Sequence, residues 1–179
     1  MSRRCNAAAN ELRRVYREHV AAVYAFFAYS FPRAEAEDLT SSTFERVVKS
    51  WPSYDPARAT ERTWILAIAR NLSVDHARRQ NARPKIASGE EADAVERLAA
   101  GSGGGLDRVI DADALRSWLT PLKGRDREVL ALRYGADLPA AEIGVLLGLT
   151  SANVHQILSR SLGKLRAEAE RRAELSGSA

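Results

Sequence analysis

Residues 60–79 read TERTWILAIARNLSVDHARR and combine two helical stripes. The first stripe is apolar and consists of Ile65, Ile68, Ala69 and Leu72, spaced as on one helix face. The second stripe is aromatic and polar and consists of Trp64, Asn71, Asp75 and Arg78. A helix that buries the first stripe shows the second to solvent, so the pattern predicts a surface for a partner. Arg79 follows at the end of the helix, where cations suit the negative end of the dipole.

Two more helices with apolar faces are predicted before this one, over residues 11–29 and 33–51. The first face holds Leu12, Val15, Tyr16, Val20, Val23 and Phe27, and the second holds Leu39, Phe44, Val47, Val48 and Trp51. His19 shares the first face and is interpreted as a core histidine. Phe31-Pro32 separates the two helices, because proline keeps the preceding residue out of the α region. Three helices joined by short loops predict a compact N-terminal domain.

A second group of helices follows residues 81–106, whose Gly and Ser content predicts a flexible linker. The predicted helices cover residues 107–119, 125–134, 139–147 and 151–172, with Gly135 as a stop signal and a frayed tail at the C-terminus. The turn Gly148-Leu149-Thr150 has the length and the glycine of a helix-turn-helix. The chain is therefore expected to be all-α, with two small helical domains over residues 1–80 and 107–179 and the helix-turn-helix in the second.

The last of these helices has the composition of a DNA recognition helix. Its inward face is predicted to hold Val154, Ile157, Leu158, Ser161, Leu162 and Leu165. Its outward face holds Ala152, Asn153, Gln156, Ser159, Arg160 and Gly163, with His155 at the edge. Small residues between amides and an arginine let a helix approach base edges in the major groove, where Asn and Gln pair with adenine and Arg with guanine. An ordinary helical packing unit with a solvated face is the alternative.

Composition narrows the classes of function. The net charge is +4, and residues 1–80 hold 13 Lys and Arg against 9 Asp and Glu, which permits contact with a polyanion without requiring it. No apolar run reaches the length of about 18 residues that predicts a membrane span, and no apolar stretch follows the N-terminal arginines as in a secretory signal. Cys5 is the only cysteine, which fits a reducing cytosol and, with three scattered histidines, argues against a structural zinc site.

Catalytic motifs are missing from the sequence. It contains no glycine-rich phosphate loop, no nucleophile elbow and no paired histidine ligands. Asp75 and His76 are neighbours and point in different directions on a helix, and Asp75 is interpreted as an ion-pair partner of Arg79. The sequence therefore predicts no enzyme activity, no cofactor, no metal and no small-molecule substrate.

Three segments together resemble the extracytoplasmic-function (ECF) group of bacterial RNA polymerase sigma factors. They are AEDLTSSTF at residues 36–44, WILAIARNLSVDHARR at residues 64–79 and LPAAEIGVLLGLTSANVHQILSRSLGKLR at residues 138–166. Their order, the linker and the total length also match, so the resemblance covers nearly the whole chain outside its termini. The match at residues 64–79 is the specific one, because helix-turn-helix units occur in many DNA-binding proteins.

The resemblance implies a division of labour among the three segments. Core RNA polymerase would be contacted through Asp38, Leu39, Ser41 and Phe44. The minus-ten promoter element would be melted and read by the loop at residues 54–59 and the helix after it, through Arg58, Trp64, Arg70, Asn71, Asp75, Arg78 and Arg79. A purely structural role of Trp64 in the core fits the sequence equally well. The minus-thirty-five element would be read through Ser151, Ala152, Asn153, His155, Gln156, Ser159 and Arg160. The resemblance also implies a cytoplasmic protein that an anti-sigma factor holds when it is free.

The chain departs from the family pattern in two places. Ser41 and Ser42 stand where the family usually has Gln and then an acidic residue, which alters the polymerase contact. The recognition helix reads ANVHQI at residues 152–157, where GTVKSR is common, and so loses two cations. Fewer phosphate contacts predict a shallower salt dependence and a different base preference.

Two other functions remain open on the sequence. One is a helix-turn-helix regulator that binds duplex DNA without polymerase, for which substitutions of Asp38 and Leu39 would leave DNA binding untouched. The other is a helical protein–protein adaptor, which would bind neither polymerase nor DNA.

Overall fold

The computed structural model describes residues 2–82 and 112–177 of the chain. All regular structure in these two ranges is helical, as the sequence predicted, and no strand occurs in them. The helices are α1 (Ser2–Ala28), α2 (Arg33–Ser50), α3 (Glu61–Ala82), α4 (Ala112–Trp118), α5 (Gly124–Leu130), α6 (Ala140–Leu147) and α7 (Ser151–Gly177), with a 3₁₀ turn at Trp51–Ser53 and a π-helical turn at Ala131–Gly135. None of the described helices combines the length and the apolar character that a membrane crossing requires.

Helices α1, α2 and α3 pack together into an N-terminal unit. Their largest fully buried side chains are Val15, Val23, Phe27, Val47, Ile65 and Leu66. Helix α1 begins at Ser2, well before the predicted start, because the Ala7-Ala8-Ala9 run favours a helix. The chain turns after α1 where the amide of Phe31 donates to the carbonyl of Phe27 at 2.9 Å, immediately before Pro32 as predicted.

Helix α2 buries part of the face that its periodicity predicted. Leu39, Phe44 and Val47 are buried, but Val48 is 52% exposed and that prediction was wrong. The face is completed by two threonines, whose hydroxyls stay satisfied in the core because Thr40 donates to the Ala36 carbonyl and Thr43 to the Leu39 carbonyl, each at 2.7 Å. Polar residues thus fill positions that a search for apolar side chains passes over.

Helices α4 to α7 form a C-terminal unit, and the chain leaves α5 through the wide π-helical turn. Gly135 lies inside this turn, and the residues with positive φ in the described chain are Asp137 and Gly148. The helical run therefore stops at Gly135 as predicted, although Gly135 does not adopt the left-handed conformation that is usual for glycine at a helix end. The amide of Leu138 closes the turn by donating to the carbonyl of Leu132 at 2.9 Å.

The helix-turn-helix between α6 and α7 was predicted correctly. Gly148 ends α6 with φ of 65°, and the amide of Leu149 donates to the carbonyl of Gly144 at 2.8 Å. The hydroxyl of Thr150 accepts the amide of Asn153 at 3.2 Å and so caps α7. Of the predicted inward face, Val154, Ile157, Leu158 and Ser161 are buried and Leu165 is partly buried, whereas Leu162 is 42% exposed.

Helix α7 is longer than its predicted extent and continues to Gly177. The prediction of a frayed tail was wrong for Ser176 and Gly177, and Ser178 and Ala179 lie outside the described residues. The predicted linker also lies outside them, except for residues 81–82, which end α3.

Gly144 is the position at which a single methyl group should destabilise the C-terminal unit most directly. A Cβ at Gly144 would lie 2.7 Å from the carbonyl oxygen of Leu149, which is backbone and is fixed by the turn. We expect Gly144→Ala to lower the free energy of unfolding by about 1–3 kcal/mol, the usual cost of overpacking. Urea denaturation followed by circular dichroism measures this value.

Gly163→Ala on α7 is the matched control, because a Cβ at Gly163 meets no heavy atom within 4 Å in the described chain. Alanine is the better helix former, so this variant should gain about 0.5–1 kcal/mol. Equal effects of the two substitutions would contradict the close approach at Gly144.

The two units also contact each other. Helix α1 packs against the π-helical turn and α4, and α3 contacts α6. A Cβ at Gly135 would lie 3.1 Å from Cε2 of Tyr29 and 3.2 Å from the carbonyl oxygen of Ala25, so a glycine allows the π-helical turn to approach α1 closely. The Tyr29 side chain is buried there, and burial together with nearby Tyr134 raises its pKa.

Candidate nucleic-acid interface

Helix α3 presents its second stripe much as its periodicity predicted. Asn71, Arg78 and Arg79 are exposed, and Asp75 is partly buried. Within residues 2–82 and 112–177, the side chains of these four residues form no hydrogen bond or ion pair, so the expected Asp75–Arg79 pair is absent and that interpretation was wrong. The exposed amide and the two guanidinium groups are therefore available to an external partner.

Trp64 belongs to a cluster of three aromatic side chains at the start of α3. Its ring centroid lies 5.2 Å from that of Tyr54 and 6.0 Å from that of Trp51, and Trp51 and Tyr54 stack at 5.2 Å. Trp64 is partly buried and packs against the core. The sequence left open whether Trp64 is a core or a surface residue. In the structure one part of its side chain packs against the core and another part is exposed to solvent.

The aromatic cluster also shapes the loop that carries Arg58. The Tyr54 hydroxyl donates to the carbonyl of Ala59 at 3.1 Å, and the Asp55 carboxylate accepts the amide of Ala57 at 3.0 Å. These bonds close the loop over five residues, and Arg58 is exposed on it. The loop is thus held against α3 beside Trp64.

Arg70 differs from the other cations of α3 because it already has an anionic partner. Its Nε donates to Oε1 of Glu128 on α5 at 2.9 Å, and both side chains are largely buried. No pattern in the sequence pointed to this pair, since the two residues are separated by 58 positions. The guanidinium expected to hold a phosphate holds a carboxylate of the C-terminal unit.

His19 and His76 each contact a carboxylate of another helix. Buried His19 lies 3.3 Å from Glu61, and the guanidinium of Arg14 donates to Glu61 at 2.6 Å. Arg14, followed by His19, lowers the pKa of the Glu61 carboxyl. His76 lies 2.8 Å from Glu35. Both histidines tie helices of the N-terminal unit together, and this agrees with the interpretation of His19 as a core residue.

Ligand atoms of Glu18, His19 and Glu61 all lie within 4.8 Å of one another, which is close enough to consider a metal ion. The guanidinium of Arg14 occupies this cluster and contacts both carboxylates. A cation at the centre already neutralises the acidic groups, so the cluster is an ion-pair network that joins α1 to α3.

Helix α2 exposes only part of the residue set expected to contact polymerase. Asp38 and Ser41 are exposed, whereas Leu39 and Phe44 are buried in the core. The two apolar side chains therefore support the helix and do not offer a direct contact, because their periodic spacing is that of the inward face. The hydroxyl of Ser41 donates to the Glu37 carbonyl of its own helix at 3.1 Å.

Two apolar side chains that were expected in the core extend the exposed surface of α2. Tyr16 is 48% exposed, and its ring packs edge-on against Phe44 with centroids 4.8 Å apart. Val48 lies on α2 one turn after Phe44 and is half exposed. Their large size and helical spacing made them resemble core residues, so no sequence pattern indicated this surface.

All seven residues expected on the recognition face of α7 are exposed. They are Ser151, Ala152, Asn153, His155, Gln156, Ser159 and Arg160. In the part of the chain that the structure describes, the side chains of His155, Gln156 and Arg160 form no hydrogen bond. Buried Val154 and Leu158 fix the opposite side of the helix against its neighbours, so the polar face points away from the protein.

The sequence of the chain matches two known protein families, one in each helical unit. The Sigma-70 region 2 family matches residues 15–83, and the Sigma-70 region 4 family matches residues 118–167. The ECF RNA polymerase sigma factor SigC of Mycobacterium tuberculosis is 31% identical over 150 residues, which cover 83% of this chain and 77% of SigC. SigL of the same species is 27% identical over 171 residues, covering 93% of this chain and 94% of SigL.

Solved structures share the fold. The sigma factor RpoE of Bartonella quintana, in complex with the anti-sigma factor NepR, aligns with a TM-score of 0.69 at 18% identity, over 89% of this chain and 97% of RpoE. The structure of CnrH in complex with the cytosolic domain of CnrY aligns with a TM-score of 0.64 at 20% identity, over 93% and 94% of the two chains. With region 2 and region 4 in order and SigC similar along most of its length, the chain belongs to the ECF group of RNA polymerase sigma factors, the promoter-specificity subunits of transcription initiation.

Proposed function

We propose that the surface of α3 and the loop before it read and open the minus-ten element of a promoter. The observation that carries this proposal is the row of Asn71, Arg78 and Arg79, which are exposed on α3 and whose side chains have no partner among the described residues. An exposed amide can pair with a base edge, and two guanidinium groups can hold the phosphates on either side. Arg58 adds a cation from the loop.

The aromatic cluster gives the same surface a means of holding an opened strand. Bases that leave the duplex lose their stacking, and aromatic or guanidinium planes replace it at about 1–3 kcal/mol per base. Trp64 and Tyr54 are both partly exposed beside Arg58. The surface thus combines phosphate binding, a base contact and stacking within one helix and its preceding loop.

The outward face of α7 is proposed to read the minus-thirty-five element in duplex DNA. Ala152 and Ser159 are small and let the helix backbone approach the groove, while Asn153, Gln156 and Arg160 can reach base edges. The N-terminus of α7, capped by Thr150, favours a phosphate. His155 and Ile157 stand where the family commonly has Lys and Arg, so the base preference should differ from that of other family members.

Core RNA polymerase is the proposed partner of the exposed surface on α2. Asp38 and Ser41 supply polar contacts, and the half-exposed Tyr16 and Val48 supply apolar area beside them. An anti-sigma factor is the second proposed protein partner, since RpoE of B. quintana was solved in complex with NepR. We further propose that the chain has no catalytic activity, cofactor or small-molecule substrate of its own and acts in the cytoplasm, where the polymerase carries out the chemistry.

Two recognition units joined by a linker suit this function. We propose the boundaries 1–80, 81–106 and 107–179 for the first unit, the linker and the second unit. The two family matches, at residues 15–83 and 118–167, support this division. Separate units allow the protein to contact two DNA elements that lie apart on the promoter.

The decisive experiment is co-purification with core RNA polymerase followed by transcription from a pool of random promoters. We expect stoichiometric binding and initiation at a subset of sequences that share two elements. DNA binding without polymerase binding would favour the lone helix-turn-helix regulator, and failure of both would favour the adaptor.

Asp38→Arg tests the polymerase surface. Asp38 is exposed and forms no ion pair in the described chain, so the substitution should leave the fold intact while reversing a charge at the contact. We expect roughly tenfold weaker binding to core polymerase, because a like charge at an interface costs on the order of 1.4 kcal/mol or more. Fluorescence titration of labelled protein with core polymerase measures the change.

Glu170→Arg on α7 makes the same charge change at an exposed site in the C-terminal unit and serves as the control. It should bind core polymerase like the unsubstituted chain. If both variants weaken binding equally, net charge and not the α2 surface explains the effect.

A further inference from the structure

A cleft of about 600 Å³ lies outside the surfaces that are assigned to DNA and polymerase. It is bounded by the corner between α1 and α2, by the second half of α3 and by α4 and α5. Neither the row of Asn71, Arg78 and Arg79 nor the recognition face of α7 lines it. Its volume falls in the range of about 300–1,000 Å³ that is usual for sites of small molecules.

Part of the cleft wall is apolar. Phe26 of α1, Phe31 and Pro32 of the corner and Val74 of α3 contribute to it. The ring of Phe31 packs edge-on against the imidazole of His76, with ring centroids 5.3 Å apart. Both phenylalanines are largely buried, so the packing of the core holds this wall in place. Such a wall suits a ligand with a flat apolar body, because aromatic side chains offer a large contact area.

The cleft also carries two guanidinium groups, those of Arg116 on α4 and Arg127 on α5. Nη2 of Arg127 donates to the carbonyls of Leu119 and Leu122 at 3.3 and 3.2 Å, but its buried Nε has no hydrogen-bond partner in the described chain. Burial, followed by the positive charge of Arg116, lowers the pKa of Arg127. Arg116 pairs with Asp113 of its own helix at 3.1 Å, where both side chains are exposed to solvent, and such a pair contributes little.

The two carboxylates that line the cleft already have partners of their own. Glu35 accepts a hydrogen bond from Nε2 of Gln80 at 2.9 Å, and Glu128 accepts one from Nε of Arg70 at 2.9 Å. Within the residues that the structure describes, no carboxylate lies within ion-pairing distance of Arg127. The cleft therefore holds a partly buried cation whose charge the protein does not compensate, beside a second cation and an apolar wall.

We propose that the cleft binds a small organic anion with a flat apolar body, and that an aromatic carboxylate is the class of ligand that fits it. The carboxylate lies between Arg116 and Arg127, and the apolar body lies against Phe31 and Pro32. A buried cation without a partner costs free energy, which an anion at this place offsets. A guanidinium also receives a carboxylate through two parallel N–H donors, which a neutral ligand cannot match. The site does not rest on the proposed DNA contacts of the chain.

Isothermal titration calorimetry of the full-length chain tests this proposal with three probes. 1-Naphthoate has both the anionic group and the apolar body, neutral 1-naphthamide lacks the charge, and inorganic phosphate lacks the apolar body. We expect saturable binding of one 1-naphthoate per chain, at least about tenfold tighter than binding of either other probe, because a charged hydrogen bond or a buried ring is lost with each of them. Absence of saturable 1-naphthoate binding, or equal affinity for either other probe, overturns the proposal.

Three variants locate the site. Arg127→Gln and Arg116→Gln each remove one cation and should weaken the binding of 1-naphthoate at least about tenfold. Gly124→Leu places a side chain in the cleft, where a Cβ meets no heavy atom of the described chain within 4 Å, and should abolish binding without a change in charge. Circular dichroism confirms the fold of each variant. If Arg127→Gln does not fold, because it also loses its bonds to two carbonyls, the other two variants decide.

Arg46→Gln is the matched control, because Arg46 is exposed on α2 and lies outside the cleft. This variant should bind 1-naphthoate like the unsubstituted chain. If Arg116→Gln or Gly124→Leu binds 1-naphthoate as tightly as the control, the cleft is not the site and the proposal is overturned.

Discussion

We expect Asn71→Ala to slow promoter opening by roughly 10- to 100-fold, because one base contact is worth about 1–3 kcal/mol. Asn71 is exposed on α3, and within the described residues its side chain has no partner in the protein. The substitution therefore removes no internal interaction, and alanine favours the helix. Binding to core polymerase should stay unchanged, since that contact is proposed to lie on α2. Permanganate reactivity of unpaired thymines, followed over time after mixing with promoter DNA, measures the opening rate.

Asn10→Ala is the matched control for this experiment. Asn10 is also an exposed helical asparagine, and its carboxamide oxygen accepts a weak 3.3 Å bond from Arg13 on the same helix. This variant should open promoters at the normal rate. Normal opening by Asn71→Ala would contradict the role assigned to Asn71 and would shift the minus-ten contact to Arg78 and Arg79.

Features that depend on neighbouring residues were predictable from the sequence. Ile65 and Leu72 are buried, and their helical spacing in the sequence predicts this. Gly148 adopts a left-handed conformation that few other residues adopt, so the glycine itself indicates the turn. The exposure of Gln156 and Arg160 follows from the same periodicity, because buried Val154 and Leu158 fix the phase of α7. In each case the physical cause acts over one or two helical turns, and so the sequence records it.

Features that depend on distant residues were not predictable. The Arg70–Glu128 pair joins positions that only the packing of the two units brings together. Gly135 was interpreted by a local rule for helix ends, although its actual role is to let a neighbouring helix approach. The contact of His76 with Glu35 has the same character. The sequence around a charged residue or a glycine does not indicate which distant residue it contacts in the fold.

In helix α2, the family resemblance and the burial of the side chains lead to different conclusions about which residues contact polymerase. Leu39 and Phe44 belong to the segment that resembles the polymerase-binding helix, yet both are core residues. A resemblance identifies a segment and does not separate the side chains that make the surface from those that support it. The exposure of each side chain in the structure distinguishes the residues that form the surface from those that support it. It also adds Tyr16 and Val48 to the candidate polymerase surface.

Substituting both Gln156 and Arg160 with Ala should have the largest effect on promoter choice. Each side chain reaches outward from α7 with no hydrogen-bond partner in the described chain, and each base contact contributes about 1–3 kcal/mol of discrimination. Their removal should flatten the preference at up to two positions of the minus-thirty-five element, by roughly 2–6 kcal/mol in total if both contacts are lost. Sequencing of transcripts from a random promoter pool measures the preference at every position.

Arg166→Ala provides the comparison, because Arg166 is an exposed arginine of the same helix outside the recognition face. It should leave the preference unchanged. The salt dependence separates two roles for Arg160, since an arginine on a phosphate weakens binding to all sequences alike and reduces the salt slope by about one when it is removed. A change in preference with an unchanged slope assigns Arg160 to a base. If the double substitution alters neither the preference nor the slope, α7 does not read DNA through this face, and the minus-thirty-five contact must lie elsewhere in the C-terminal unit.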